Sequence, residues 1–223
     1  MIAARSGTTA YATLLLLGVA ACAIFATRSA AADPALDAQF RHMLLEDFRS
    51  RGVATIDRLD QDEVQKLCTD TRDRPSGATA QTLLKRQEER IRWPDDGRFM
   101  GDWRAGEKLA QEGRGMTWAD RPGGPTGGSC YGCHRISPSE ISFGTIGPSL
   151  LHLGRDRGST PQMQRYVYGH IYNAKAYNLC SYMPRFGTSG ALTQQQIRDL
   201  VALLLDPGSS VNTRNQPDRP KPP

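Results

Sequence analysis

Aromatic side chains are scarce in this chain, at 7% of residues. Charge of one sign is also in short supply: 28 Lys and Arg face 23 Asp and Glu in 223 residues, an excess of five positive charges. No run of Lys or Arg tracks a helix face, so nucleic-acid binding has no support. No long apolar run follows residue 26, which excludes a polytopic membrane protein. No internal repeat is visible. Apolar content as such is not low: 39% hydrophobic against 23% charged residues excludes wholesale disorder. The 22 Gly and 14 Pro assign much of the chain to loops. A helical domain with long connections fits this balance better than a tight bundle.

Residues 1–32 read as an address. Arg5 supplies a positive start, and residues 11–26 form an apolar run of signal-peptide length. Residues 29–32 then offer a small-residue cleavage site after Ala32. A second processing reading is a lipoprotein, because Val19-Ala20-Ala21-Cys22 resembles a lipobox; cleavage after Ala32 is the preferred one. It removes Arg5 and Arg28 and no acid, so the charge excess falls to three. The expected location is periplasmic, with no transmembrane span in the mature chain. Cys68, Cys130, Cys133 and Cys180 then lie in an oxidising compartment.

Residues 33–98 are polar, with helical periodicity but few large apolar residues, and are expected to form a helical arm. Phe40, Met43, Leu44 and Phe48 approximate one stripe, Val64, Leu67 and Cys68 another. Residues 79–92 read as a solvated helix with a thin apolar edge. This region lacks the surface for its own core and is expected to lie against the following domain or a partner chain. Residues 99–207 form the main domain. Its first helix covers residues 102–112, with Asp102 as cap and Gly113 as stop; another covers residues 161–172. Thr193 to Gln196 has the capping-box pattern, and Ile197, Leu200, Val201 and Leu204 follow helical spacing. Residues 208–223 are a polar, Pro-rich tail, expected to be disordered.

The chemistry is carried by Cys130-Tyr131-Gly132-Cys133-His134, a C-x-x-C-H haem-attachment sequence. Two thiols separated by two residues on one turn can each add to a vinyl group of the same porphyrin. The adjacent imidazole then ligates iron. A thioredoxin-type redox pair lacks its βαβ surroundings, and a zinc site lacks a second Cys/His pair. The expected cofactor is one covalently bound haem c. Met183, 49 residues beyond His134, is the expected second iron ligand, since its soft thioether suits electron-transfer haem. Met163, His152, His170 and Cys180 are its competitors. Cys68 and Cys180 remain, and most simply form one disulfide; the alternative is a free, reactive Cys180. No bond-forming constellation is visible, and His/Met ligation leaves no open iron site. An exposed haem edge ringed by apolar residues is the expected partner surface, with Tyr131, Phe143, Tyr182 and Phe186 as candidates.

The stretch Gly147-Pro148-Ser149-Leu150 resembles that of class I cytochromes c, in which the proline carbonyl accepts a hydrogen bond from the ligand imidazole. The resemblance extends further, over residues 55–212. Residues 101–108, 112–116, 137–150, 171–187 and 201–207 are similar to those of the SoxX family, the monohaem cytochrome c subunits of SoxAX sulfur-oxidation complexes. That resemblance implies an all-α class I cytochrome c fold with an N-terminal helical extension. It implies a SoxA-like cytochrome subunit as heterodimer partner, a SoxYZ-like carrier protein and a small cytochrome c acceptor. The implied activity is the electron-transfer half of an L-cysteine S-thiosulfotransferase, with the bond-forming site on the partner chain. A free monohaem carrier between respiratory proteins is the alternative; an enzyme with open haem or reactive Cys180, and a scaffold, are weaker ones.

Overall fold

The computed structural model describes residues 33–213, which fall into two units, one ending at Arg49 and one beginning at Ser50. The described part of the first unit carries one helix, α1 (Pro34–Asp47). Asp33 caps it by accepting the Ala35 N–H at 3.0 Å, and Pro34 brings the fixed φ that a first turn needs. The stripe of Phe40, Met43 and Leu44 runs along α1 to its cap Phe48, yet no residue of α1 is buried.

The second unit holds six helices among the described residues: α2 (Glu63–Asp70), α3 (Gly77–Glu89), α4 (Trp103–Gln111), α5 (Leu153–Arg157), α6 (Pro161–Asn173) and α7 (Gln194–Leu205). Short 3-10 turns cover Ile56–Leu59, Cys130–Gly132 and Ala174–Ala176. The described residues contain no strand, only a lone bridge between Arg51 and Ala54, so the chain is all-α.

Helix α7 organises the core. Thr193 and Gln196 close a capping box at its start, and Ile197, Leu200, Val201 and Leu204 are buried at helical spacing. Helix α4 crosses α7 in close contact. At Gly106 a Cβ would stand 2.1 Å from the Asp199 carbonyl oxygen, so only glycine permits this approach. The Asp199 carboxylate accepts the Asp102 N–H at 2.9 Å and a Gln195 amide N–H at 2.8 Å, which keeps a buried acid satisfied. Trp93, Phe99, Tyr168 and Tyr172 form an aromatic cluster against α7, and the Arg165 guanidinium lies 3.6 Å above the Trp93 ring.

The body continues past Pro207. Ser209, Val211 and Asn212 are buried, and the Asn212 amide donates to the carbonyls of Leu204 and Asp206 at 3.0 and 2.9 Å. These are carbonyls that the end of α7 leaves without helical partners. Ala202, Leu203 and Leu205 are buried as well as the expected stripe. The tail beyond residue 213, and the leader with Cys22 and Ala32, lie outside the described residues.

A second apolar cluster joins Val64, Cys68 and Leu83 of α2 and α3 to Leu179 and Cys180. Residues 50–98 are therefore part of the second unit. Cys68 and Cys180 are disulfide-bonded across a sequence separation of 112. Closing so long a loop removes much conformational freedom from the unfolded chain. Replacing both cysteines by serine (C68S with C180S) is expected to lower the unfolding free energy by roughly 4–5 kcal/mol, read from urea titrations of both forms.

Candidate functional site

The C-x-x-C-H segment forms a single tight turn. Ser129 sits in the left-handed region at φ 46°, turning the chain into the 3-10 turn Cys130–Gly132. The His134 N–H donates to the Cys130 carbonyl at 2.9 Å, which places both thiols and the imidazole on consecutive parts of one turn. Backbone bonds hold this turn on both sides. Gly128 N–H donates to Leu109 at the end of α4, and Ser129 N–H to Glu112. Gly144 N–H donates to Tyr131, Gly147 N–H to Cys133, and Leu150 N–H to Arg135. The segment 144–150 is thus laid along residues 131–135 like a short splint.

That splint fixes the imidazole. His134 Nδ1 lies 2.7 Å from the Pro148 carbonyl oxygen, which can only accept, so Nδ1–H donates there, and in the neutral ring this tautomer leaves the lone pair on Nε2. Gly147 presses on the same ring: a Cβ there would lie 2.2 Å from Cε1. Cys130 and Cys133 are both free thiols. Burial pushes the Cys130 thiol up to about 12, a backbone hydrogen bond opposing it and the neighbouring Cys133 adding to it. Such a thiol carries almost no thiolate at neutral pH, which is the reverse of what a thioredoxin-type pair needs. Cys68, Asp73 and Cys180 bring three potential metal donors together, but the disulfide consumes both sulfurs.

Met183 lies in the loop between the 3-10 turn Ala174–Ala176 and α7. It is partly buried, and so is Cys130; both pack against the same core cluster, as do Leu150, Met163 and Phe186. The Met183 N–H donates to Ser181 Oγ at 3.2 Å. Among the competing ligands, Met163 packs on the same core cluster as Met183. His152 is buried with Nδ1 2.8 Å from the Val211 carbonyl oxygen. His170 stacks on Tyr177 with centroids 3.9 Å apart, and Cys180 is in the disulfide.

Of the four aromatic candidates for a partner surface, Tyr131 is buried and Phe186 is packed against the core. Tyr182 is well exposed, with its hydroxyl on Asp73, and Phe143 is at the border of exposure beneath the Arg135 guanidinium. Exposed Ile141 and Ile146 flank Phe143 in the chain, Ile146 on the splint and Ile141 just before it, and the sequence reading did not single them out. Their apolar character without helical spacing was the available signal. A cavity of about 430 Å³ opens beside the turn, lined by Ala110, Ser129, Tyr131, Glu140 and Phe143 among others; neither His134 nor Met183 lines it.

The contact at Gly147 has a testable outcome. G147A is expected to push the His134 ring from its place, perturbing the imidazole resonances and costing roughly 1–3 kcal/mol of stability. G132A, whose Cβ meets nothing closer than Ser129 Oγ at 3.5 Å, is expected to change stability by less than about 0.5 kcal/mol in the same unfolding titrations.

No protein-family model matches the chain. A protein of Aquifex aeolicus (strain VF5) named an uncharacterized lipoprotein is 40% identical over 156 residues, which cover 68% of this chain and 73% of that protein. This finding corrects the assignment to SoxX: the relative bears a lipoprotein name, not that of a SoxX cytochrome. The sulfur-oxidation activity and its SoxA-like and SoxYZ-like partners rested on that resemblance alone and are withdrawn with it, and no cytochrome description takes their place. Among the described residues no helix is long and apolar enough to cross a membrane. The chain belongs to the family of the Aquifex aeolicus lipoprotein.

Proposed function

We propose that this chain is an exported one-electron carrier that holds a single haem covalently through Cys130 and Cys133. The observation that carries the reading is the turn itself: two free thiols and an imidazole whose Nδ1–H is committed to Pro148, leaving Nε2 available. The donor set fits the group. Each S–H can add across a vinyl C=C, sulfur to one carbon and hydrogen to the other, with no oxidant consumed. The suppressed acidity of Cys130 speaks against thiol–disulfide exchange as the rival chemistry.

When bound, the haem would supply a metal centre that gains and loses one electron. His134 would offer Nε2 to the iron, and the Pro148 carbonyl would hold the ring in orientation and raise its basicity. Met183 would offer its thioether as the second ligand. Leu150, Met163 and Phe186, packed on the core, would exclude water from the site. A small redox protein is the expected partner, reached through the exposed apolar stretch at Ile141, Phe143 and Ile146.

Export is supported by the leader and by the lipoprotein name of the relative. That name also favours lipid attachment at Cys22 as a second processing reading beside cleavage after Ala32.

Expression of the full chain in a periplasm with haem-attachment machinery tests both points. The wild type is expected to retain haem on a denaturing gel, C130A with C133A to lose it, and M183A to retain it while losing the thioether-to-iron charge-transfer band. A wild type without covalent haem overturns the reading. The mass of the mature chain separates a start at Asp33 from a lipid-bearing Cys22.

A further inference from the structure

We propose that Lys175 is the positioning residue that seats Met183, acting through the loop that carries it. The inference rests on the haem reading above for its purpose, but its geometry stands by itself.

Lys175 lies in the 3-10 turn Ala174–Ala176 and is only 8% exposed. Its Nζ donates to the carbonyl oxygens of Leu179 at 3.2 Å and Ser181 at 3.1 Å. Those two carbonyls bracket Cys180 and immediately precede Tyr182 and Met183. A buried ammonium is costly unless it is paired and hydrogen-bonded. Burial pushes Lys175 down and Arg185 repels it, while the carboxylates of Asp62 and Asp73 act to keep it charged.

Both carboxylates also grip the loop from outside. Asp62 accepts Arg185 in an ion pair at 2.6 Å, and Asp73 accepts the Tyr182 hydroxyl. The disulfide adds a covalent tie from α2 at Cys180. Residues 179–185 are therefore held outside by the segment 62–73 and inside by one ammonium. Met183 sits between these attachments, its own N–H spent on Ser181 Oγ. Without Lys175, two carbonyls in a largely buried turn lose their donor, and Asp62 and Asp73 lose the cation they share. The outside ties would remain, so the loop would stay attached but no longer be fixed in path.

The test compares wild type, K175M and K175Q in the full chain. Methionine keeps length and loses every donor; glutamine keeps an N–H donor. K175M is expected to retain covalent haem on a denaturing gel yet lose most of the thioether-to-iron band in the ferric spectrum. Backbone amide exchange over residues 179–183 is expected to rise at least tenfold, with K175Q intermediate in both readouts. A K175M protein with the wild-type band and wild-type exchange overturns the proposal; where K175M is not recovered folded, K175Q is judged against wild type by the same criteria. The exchange measurement is made also on chain without haem. A wild type that takes up no haem sinks the electron-carrier reading alone, and the exchange result then decides the role of Lys175.

Discussion

The bond between Cys68 and Cys180 is the constraint on which the arrangement around the candidate site depends. Helices α2 and α3 carry too little apolar surface to fold by themselves, with Val64, Cys68 and Leu83 as their buried hydrophobic residues. The disulfide sets that small surface against Leu179 and Cys180 and makes a weak cluster permanent. Around it the polar ties become worthwhile. The pair between Asp62 and Arg185 and the contact of Tyr182 with Asp73 join groups whose approach the covalent link has already arranged, so less entropy is lost in forming them. Asp62 shows the balance: burial raises its affinity for a proton, but the Gln65 N–H and Arg185 outweigh this and hold the carboxyl below its ordinary range.

The C-x-x-C-H turn is stabilised differently. Its two faces are fixed almost wholly by backbone hydrogen bonds, from Leu109 and Glu112 on one side and from residues 144–150 on the other. Glycines let these strips of chain approach: a Cβ on Gly144 would lie 2.0 Å from the Gly132 carbonyl oxygen. A scaffold of main-chain bonds holds the turn while Cys130 and Cys133 remain free thiols and the His134 ring bonds to Pro148. Separation of these tasks is what a binding site for a large rigid ligand requires.

Much of this was legible in the sequence because the signals were local. The Asp102 cap, the capping box of Thr193 and Gln196, and the apolar spacing of α7 each involve residues within one or two turns. The spacing of Cys130, Cys133 and His134 is local too. What remained hidden depended on distant pairings. Nothing in residues 208–212 announces that Val211 and Asn212 cover the end of α7, since Gly-Ser-Ser-Val-Asn reads as a short polar run and does not show the carbonyls it satisfies. The burial of Lys175 was not legible either, because it depends on residues 179–181 turning back on its ammonium. Tyr131 looked like a surface aromatic beside a cofactor, and is buried because the splint folds over it. The resemblance to SoxX, drawn over residues 55–212, was carried by five short stretches within that span, and the lipoprotein relationship, 40% identical over 156 residues, overturns it.

The sequence separation of 112 between the two bridged cysteines also has a consequence for the order of assembly. A chain made and delivered from its N-terminus presents Cys68 first, then Cys130 and Cys133, and Cys180 last. Four thiols allow three fully paired arrangements, and early oxidation would favour the neighbours that arrive first. The segment that emerges early must therefore wait, reduced, for nearly the whole of the main domain before its own attachment can be sealed.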